Sequence, residues 1–200
     1  GAIHVFPGGP GGVLGTPIIT DSGVEIPNLA IADDFNNDGL MDICVNDTLF
    51  VADGHGGFSP PIPLGIERLR TLASADMNGD GNQDLIGIVT IYTAPDMRTA
   101  ELRTYLGNGD GTFQEPKKQR IVFNSGEING VPGTGGVIDD SGNYLILHVG
   151  DFIFCDGVPD LVITHIFSPD APVTLSTNWT YYGGPTGGFT KKDMYTMGGG

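Results

Sequence analysis

Leu29-Ala-Ile-Ala-Asp-Asp-Phe-Asn-Asn-Asp-Gly-Leu-Met-Asp-Ile-Cys-Val45 enters on alternating apolar residues, passes through a run of Asp, Asn and Gly, and leaves on a second apolar run. The pattern is strand, tight acidic loop, strand. It recurs as Leu72-Ala-Ser-Ala-Asp-Met-Asn-Gly-Asp-Gly-Asn-Gln-Asp-Leu-Ile86, and more loosely as His148-Val-Gly-Asp-Phe-Ile-Phe-Cys-Asp-Gly-Val-Pro-Asp-Leu-Val-Ile163. Internal repetition of this kind decides the architecture before any single residue does.

A second element follows each copy. Asp53-Gly-His-Gly-Gly-Phe-Ser-Pro-Pro61, Leu106-Gly-Asn-Gly-Asp-Gly-Thr-Phe-Gln-Glu-Pro116 and Tyr182-Gly-Gly-Pro-Thr-Gly-Gly-Phe-Thr190 are Gly-rich turns running into a Phe. Phe6-Pro-Gly-Gly-Pro-Gly-Gly-Val13 is a weaker fourth copy. Glycine serves the positive-φ positions of hairpin turns, and the Phe returns as a packing residue. The unit is four antiparallel strands in about 40 to 75 residues, the size of one propeller blade. The chain reads as all-β, a β-propeller or part of one, with about three and a half blades: a partial blade at 1–27, then blades at 28–66, 67–122 and 144–197. Residues 90–101 and 164–179 read as variable links, and 123–143 as a surface excursion. Such a count leaves open edges, so the chain is expected to be a fragment of a longer propeller, or to be completed by other copies of itself.

In the first loop Asp34, Asn36, Asp38 and Asp42 stand at positions one, three, five and nine, with Gly39 at six. The second repeats this with Asp76, Asn78, Asp80, Asp84 and Gly81. Alternating acidic positions in a tight loop gather oxygens for a hard cation, and the carbonyls of Leu40 and Asn82 at position seven add to the cage, which points to Ca2+. An EF-hand would close with Glu at position twelve on a helix, whereas here an acid at nine precedes a strand. In the third loop Asp151, Asp156 and Asp160 remain, but there is one extra residue and no Asn, which leaves its calcium site open. Plain turn chemistry also favours Asp, Asn and Gly, yet two loops with identical acidic spacing exceed what turns require.

The loops resemble the FG-GAP and VCBS repeats of integrin α-subunit propellers and of many secreted microbial and fungal proteins, which read D-x-N-x-D-G-x-x-D between two strands of a blade. The resemblance implies an extracellular or cell-surface scaffold with calcium in its blade loops. Such a scaffold serves recognition or adhesion of glycans or proteins, or assembly. The alternatives are the propeller portion of a carbohydrate-active lyase or dehydratase, and a self-assembling fibre subunit.

Composition agrees with this class. Of 200 residues 33 are Gly and 14 Pro, and 24 acidic against nine basic side chains give a net charge of −15, which repels nucleic acid. No apolar run approaches the roughly 18 residues of a membrane span. The start Gly1-Ala2-Ile3-His4 is not a signal peptide, so a processed or excised product is expected. Cys44 and Cys155 allow at most one bridge, and the first reads as a small core residue. Asn46 and Asn178 begin N-glycosylation triplets. None of His4, His55, His148 and His165 pairs at ligand spacing, and no hydrolase, zinc-protease or phosphate-loop motif occurs. Trp179, Tyr181, Tyr182, Tyr92 and Tyr144 are candidates either for a sugar platform or for packing between blades.

Overall fold

In the computed structural model, residues 1–24, 29–66, 69–94, 97–121, 144–152, 155–167, 175–184 and 186–198 are described. Apart from a three-residue 3-10 turn at Pro10–Gly12, the regular structure is all β. Strands β1 (Ala2–Val5) and β2 (Ile18–Asp21) form a two-stranded sheet. Strands β3 (Ala30–Asp33), β4 (Asp42–Val45), β5 (Thr48–Phe50) and β6 (Ile62–Pro63) form the first four-stranded sheet. Strands β7 (Thr71–Ala75), β8 (Asp84–Ala94), β9 (Met97–Tyr105) and β10 (Lys117–Ile121) form the second. Strands β11 (Tyr144–Gly150), β12 (Asp160–Phe167), β13 (Leu175–Gly183) and β14 (Phe189–Gly198) form the third. Every pairing is antiparallel between consecutive strands, so each sheet is a meander and has the form of a propeller blade.

Each acidic loop joins the first two strands of its sheet, and each Gly turn joins the last two. The middle hairpins differ most. Val45 pairs with Thr48 across Asn46-Asp47, with Asn46 at φ 56°. In the second sheet the corresponding stretch is long: Thr90 pairs with Ala100 and Tyr92 with Arg98. In the third, Thr164 pairs with Asn178 and Phe167 with Leu175. The segments read from sequence as variable links are therefore mostly elongated strands of the middle hairpin. The excursion expected at 123–143 lies outside the described residues.

The first strands of the sheets lie side by side, β7 next to both β3 and β11, so the sheets stack around a shared inner edge. Two cores fill the gaps. Phe35, Cys44, Leu49, Ile66, Leu69, Leu85, Val89 and Tyr105 lie between the first and second four-stranded sheets. Met77, Ile86, Ile88, Leu102, Leu161, Ile163, Tyr181 and Phe189 lie between the second and third. Strand β8 serves both, with Leu85 facing one way and Ile86 the other, which is why its sequence is apolar without a clean alternation. Cys44 is buried and Cys155 exposed, and both thiols are free. Burial pushes the Cys44 thiol up to about 12. Among the described residues no helix is long and apolar enough to cross a membrane.

Segment 69–71 presses directly on β8, where Arg70 N–H donates to the Ile88 carbonyl at 2.7 Å. A Cβ on Gly87 would stand 2.5 Å from Leu69 Cδ1 and 2.6 Å from the Thr71 carbonyl oxygen. Because one of these neighbours is backbone, Gly87→Ala is expected to destabilise the fold by about 1–3 kcal/mol. Urea denaturation checks this: the midpoint should fall with the slope unchanged, and an unaltered midpoint would show that the strand relaxes freely.

Candidate metal centres in the acidic loops

The two full loops fold alike because their short polar side chains bind their own backbone. In loop one, Asp34 accepts from the N–H groups of Asp38 (3.1 Å) and Gly39 (2.9 Å), Asn36 Oδ1 from Asp38 N–H (3.1 Å), and Asp38 from Leu40 N–H (2.8 Å). In loop two, Asp76 accepts from Asp80 (3.1 Å) and Gly81 (2.8 Å), Asn78 Oδ1 from Asp80 (3.1 Å), and Asp80 from Asn82 (2.8 Å). The sharp turn falls on Gly39 at φ 85° and Gly81 at φ 89°, where any other residue would be strained. These Asx turns order side chains at positions one, three and five along one tight coil.

In its described residues, loop three repeats the closing hydrogen bonds of the other two. Gly157 N–H, at φ 83°, donates to Asp151 at 2.9 Å, and Val158 N–H to Asp156 at 3.0 Å. The left-handed position just before the fifth-position acid is filled by Asn37 (φ 58°), Gly79 (φ 73°) and Cys155 (φ 49°) in the three loops. Asn and Gly tolerate that backbone, whereas Cys does not favour it, so the third loop is locally strained. Residues 153–154 lie outside the described residues.

The acid at position nine has a role that its spacing alone did not disclose. Asp42 is fully buried and accepts from Phe35 N–H (3.2 Å) with one oxygen and from Ala52 N–H (2.9 Å) with the other. Asp84 is likewise buried, accepting from Met77 N–H (2.9 Å) and Gly107 N–H (2.8 Å). Asp160 repeats the arrangement with Phe152 N–H (3.0 Å) and Gly183 N–H (3.2 Å). One donor is always position two of the acidic loop, and the other always opens the Gly turn. The carboxylate is thus a clip between the two loops at one end of each sheet.

Burial is the main influence that raises the carboxyls of Asp42 and Asp84 above the ordinary range, opposed by the two amide donors. Asp38 and Asp34 push Asp42 further up, as Asp80 and Asp76 do Asp84, so the acids at positions one and five bear on the one at nine in both loops. Among the described residues no three carboxylate, imidazole or thiol groups close on a single point as a ready metal cage. The donor set nonetheless fits a hard cation in kind: it is all oxygen, from Asp and Asn side chains plus the carbonyls of Leu40 and Asn82. Each clip oxygen that accepts one amide keeps a second lone pair.

Neighbouring repeats are tied together at this end. Asn37 Nδ2 donates to Asn82 Oδ1 at 2.7 Å, and Gly111 N–H donates to the Phe35 carbonyl at 3.0 Å. On the inner strands Ser74 Oγ donates to Asp33 Oδ2 at 2.8 Å.

The remaining candidates separate cleanly. Tyr181 is buried, which pushes its phenol up to about 12, so it packs between sheets rather than offering a platform, while Tyr182 is half-buried. The side chains of Tyr92, Tyr144, His165, Asn178 and Trp179 lie outside the described residues. Asn46 is half-buried in its turn, with its Oδ1 accepting from Leu29 N–H at 3.2 Å. His55 and His148 are exposed, and His4 stacks on Phe6 with centroids 6.5 Å apart.

Asp84→Ala strands two buried N–H groups and is expected to cost about 2–4 kcal/mol. Asp84→Asn, which keeps one acceptor, should cost less, and equal losses in urea denaturation would refute the clip. The raised carboxyls of Asp42 and Asp84 set a sign as well. Protons bind them more tightly in the folded chain, so their stabilising contribution is complete below the unfolded value and is lost as pH climbs through the raised folded value. These two groups should therefore make metal-free protein more stable as pH falls through their raised folded value toward the ordinary carboxylate value of about 4, and a contribution from Asp84, read from the difference between wild type and Asp84→Asn, that slopes the other way would contradict it.

Residues 34–87 match the family model of the FG-GAP-like repeat, a span that runs from position one of the first acidic loop to the strand just beyond position nine of the second. No curated protein and no solved structure gives a match to the chain. With that match on the stretch that carries both full loops and strands β4 to β7, the chain carries an FG-GAP-like repeat.

Proposed function

We propose that the chain is a calcium-stabilised, propeller-like scaffold of an extracellular or cell-surface protein, acting as a recognition or adhesion module for a glycan or another protein. The observation that carries this reading is the gathering of acids on one short coil, where Asp34 and Asp38 repel the buried Asp42, and Asp76 and Asp80 repel the buried Asp84. A divalent cation among them would convert that repulsion into attraction. Around the ion, Asn36 and Asn78 would add side-chain oxygens and Leu40 and Asn82 their carbonyls. Asp151, Asp156 and Asp160 offer a smaller set to a third ion.

Calcium here would rigidify loops. The oxygen donors come from one continuous loop, so the ion would hold the coil closed and relieve the net charge of −15. A scaffold held this way presents the loops and turns at the ends of its sheets as the variable surface for a partner.

Calorimetric titration with Ca2+ should show two sites, and thermal melting should rise with added Ca2+ and fall on chelation. Asp38→Ala and Asp80→Ala should each remove one site and leave the other. A chain that melts at the same temperature with Ca2+ and with chelator would end this reading.

A further inference from the structure

We propose that Asn108, in the Gly turn of the second four-stranded sheet, is a self-modification site: its side-chain amide closes onto the Gly109 backbone nitrogen, loses ammonia and reopens as aspartate and isoaspartate. Asparagine before glycine is the least hindered pair for this ring closure, because no Cβ crowds the attacking nitrogen. The described residues hold two such pairs, Asn78-Gly79 in the second acidic loop and Asn108-Gly109. Asn129-Gly130 lies outside the described residues.

The fold treats the two pairs differently. At the first, Gly79 N–H donates to Asp76 Oδ1 at 2.7 Å, so the nitrogen that would attack is tied to a carboxylate. The Asn78 amide is tied as well, with Oδ1 accepting from Asp80 N–H at 3.1 Å and Nδ2 donating to Asp80 Oδ2 at 2.8 Å. At the second pair Asn108 is exposed, and Gly109 N–H has no acceptor among the described residues. The Asn108 side chain is held by neutral groups instead: Nδ2 donates to Thr112 Oγ1 at 2.9 Å, and Gln114 Nε2 donates to Oδ1 at 3.3 Å. Oδ1 is the atom on which negative charge develops as the nitrogen adds to Cγ, and a donor already faces it.

In the first step the bond from Gly109 N to Asn108 Cγ forms and the Cγ–Nδ2 bond breaks. The Gly109 amide proton passes to hydroxide, while Nδ2 takes a proton from water and leaves as ammonia. Water then opens the ring. Attack at Cγ gives aspartate, and attack at the main-chain carbonyl carbon gives isoaspartate, whose backbone runs through Cβ and Cγ and is longer by a methylene. The turn has no slack for that insertion. It is closed by the Gly107–Phe113 bridge, its Gly107 N–H is held by Asp84 at 2.8 Å, and its Gly111 N–H is held by the Phe35 carbonyl at 3.0 Å. Between these anchors, a Cβ on Gly109 would run into Asn82 Oδ1 and Asn37 Nδ2. Isoaspartate at 108 therefore works against the Asp84 clip from the turn side.

The reaction needs no cation, so it stands or falls apart from the calcium reading. The test is to hold the metal-free chain in warm, mildly alkaline buffer and follow amide-to-acid conversion by tryptic peptide mass spectrometry. Peptide 71–98 carries Asn78 and peptide 104–117 carries Asn108. In the folded chain 104–117 should convert about tenfold faster, because Gly109 has no hydrogen bond to a charged acceptor to break. Isoaspartate should be among its products, and in urea the two peptides should convert at comparable rates. Aged protein should melt below fresh protein, and Asn108→Gln, compared fresh and aged, should lose less. Equal or slower conversion of 104–117 in the folded chain, a product that is aspartate alone, or the same melting loss in Asn108→Gln would overturn the proposal.

Discussion

A buried carboxylate that accepts two backbone amides is the contact on which each sheet depends. Asp42, Asp84 and Asp160 sit where a strand leaves its acidic loop, and each spends one oxygen on that loop and the other on the Gly turn of the same sheet. At Asp84 both amide donors are buried and would be left unsatisfied without the carboxylate, and at Asp42 the Phe35 N–H would be. With it, two tight loops far apart in sequence become one rigid end. The turn must come close to reach the carboxylate. A Cβ on Gly107 would run into the Gln83 carbonyl and one on Gly183 into the Pro159 carbonyl, whereas Gly8, whose turn has no such clip beside it, has open space.

The clip also sets how sheets meet. By holding the N–H of position two, it fixes the backbone that aims Phe35 and Met77 into the next sheet, where they join the aromatic two residues before the turn bridge. The acidic loop is therefore both a candidate cation site and the base of an intersheet packing residue, and the Asn37–Asn82 hydrogen bond adds a polar tie between neighbouring loops. Charge and packing are coupled there: repulsion among the acids bears on the same short coil that positions the core residue.

Much of this was legible in one sequence because the unit repeats. Alternating apolar residues on either side of Asp34–Asp42 and Asp76–Asp84 marked strands, and the Gly-rich runs ending in Phe58, Phe113 and Phe189 marked hairpins. The middle hairpins were harder to see. Thr90–Arg98 and Thr164–Asn178 carry too much polar sequence to show a strand period, yet they extend the ladders because their partners across the turn lie in register. The N-terminal turn is the weaker copy, since with no Phe to anchor it only the Gly8–Leu14 bridge shows its frame.

The sequence by itself determined the all-β class, the repeating unit and the oxygen-rich loops, because turn chemistry and strand alternation are local and survive without neighbours. Only the tertiary structure decided what each repeated residue does. Asp at positions one, five and nine look equivalent on paper, but position nine is buried as a clip while the others line the loop. Phe35 and Phe152 occupy the same place in their loops, yet one is core and the other surface. Burial depends on which sheet stands next in space, and no window of sequence contains that neighbour.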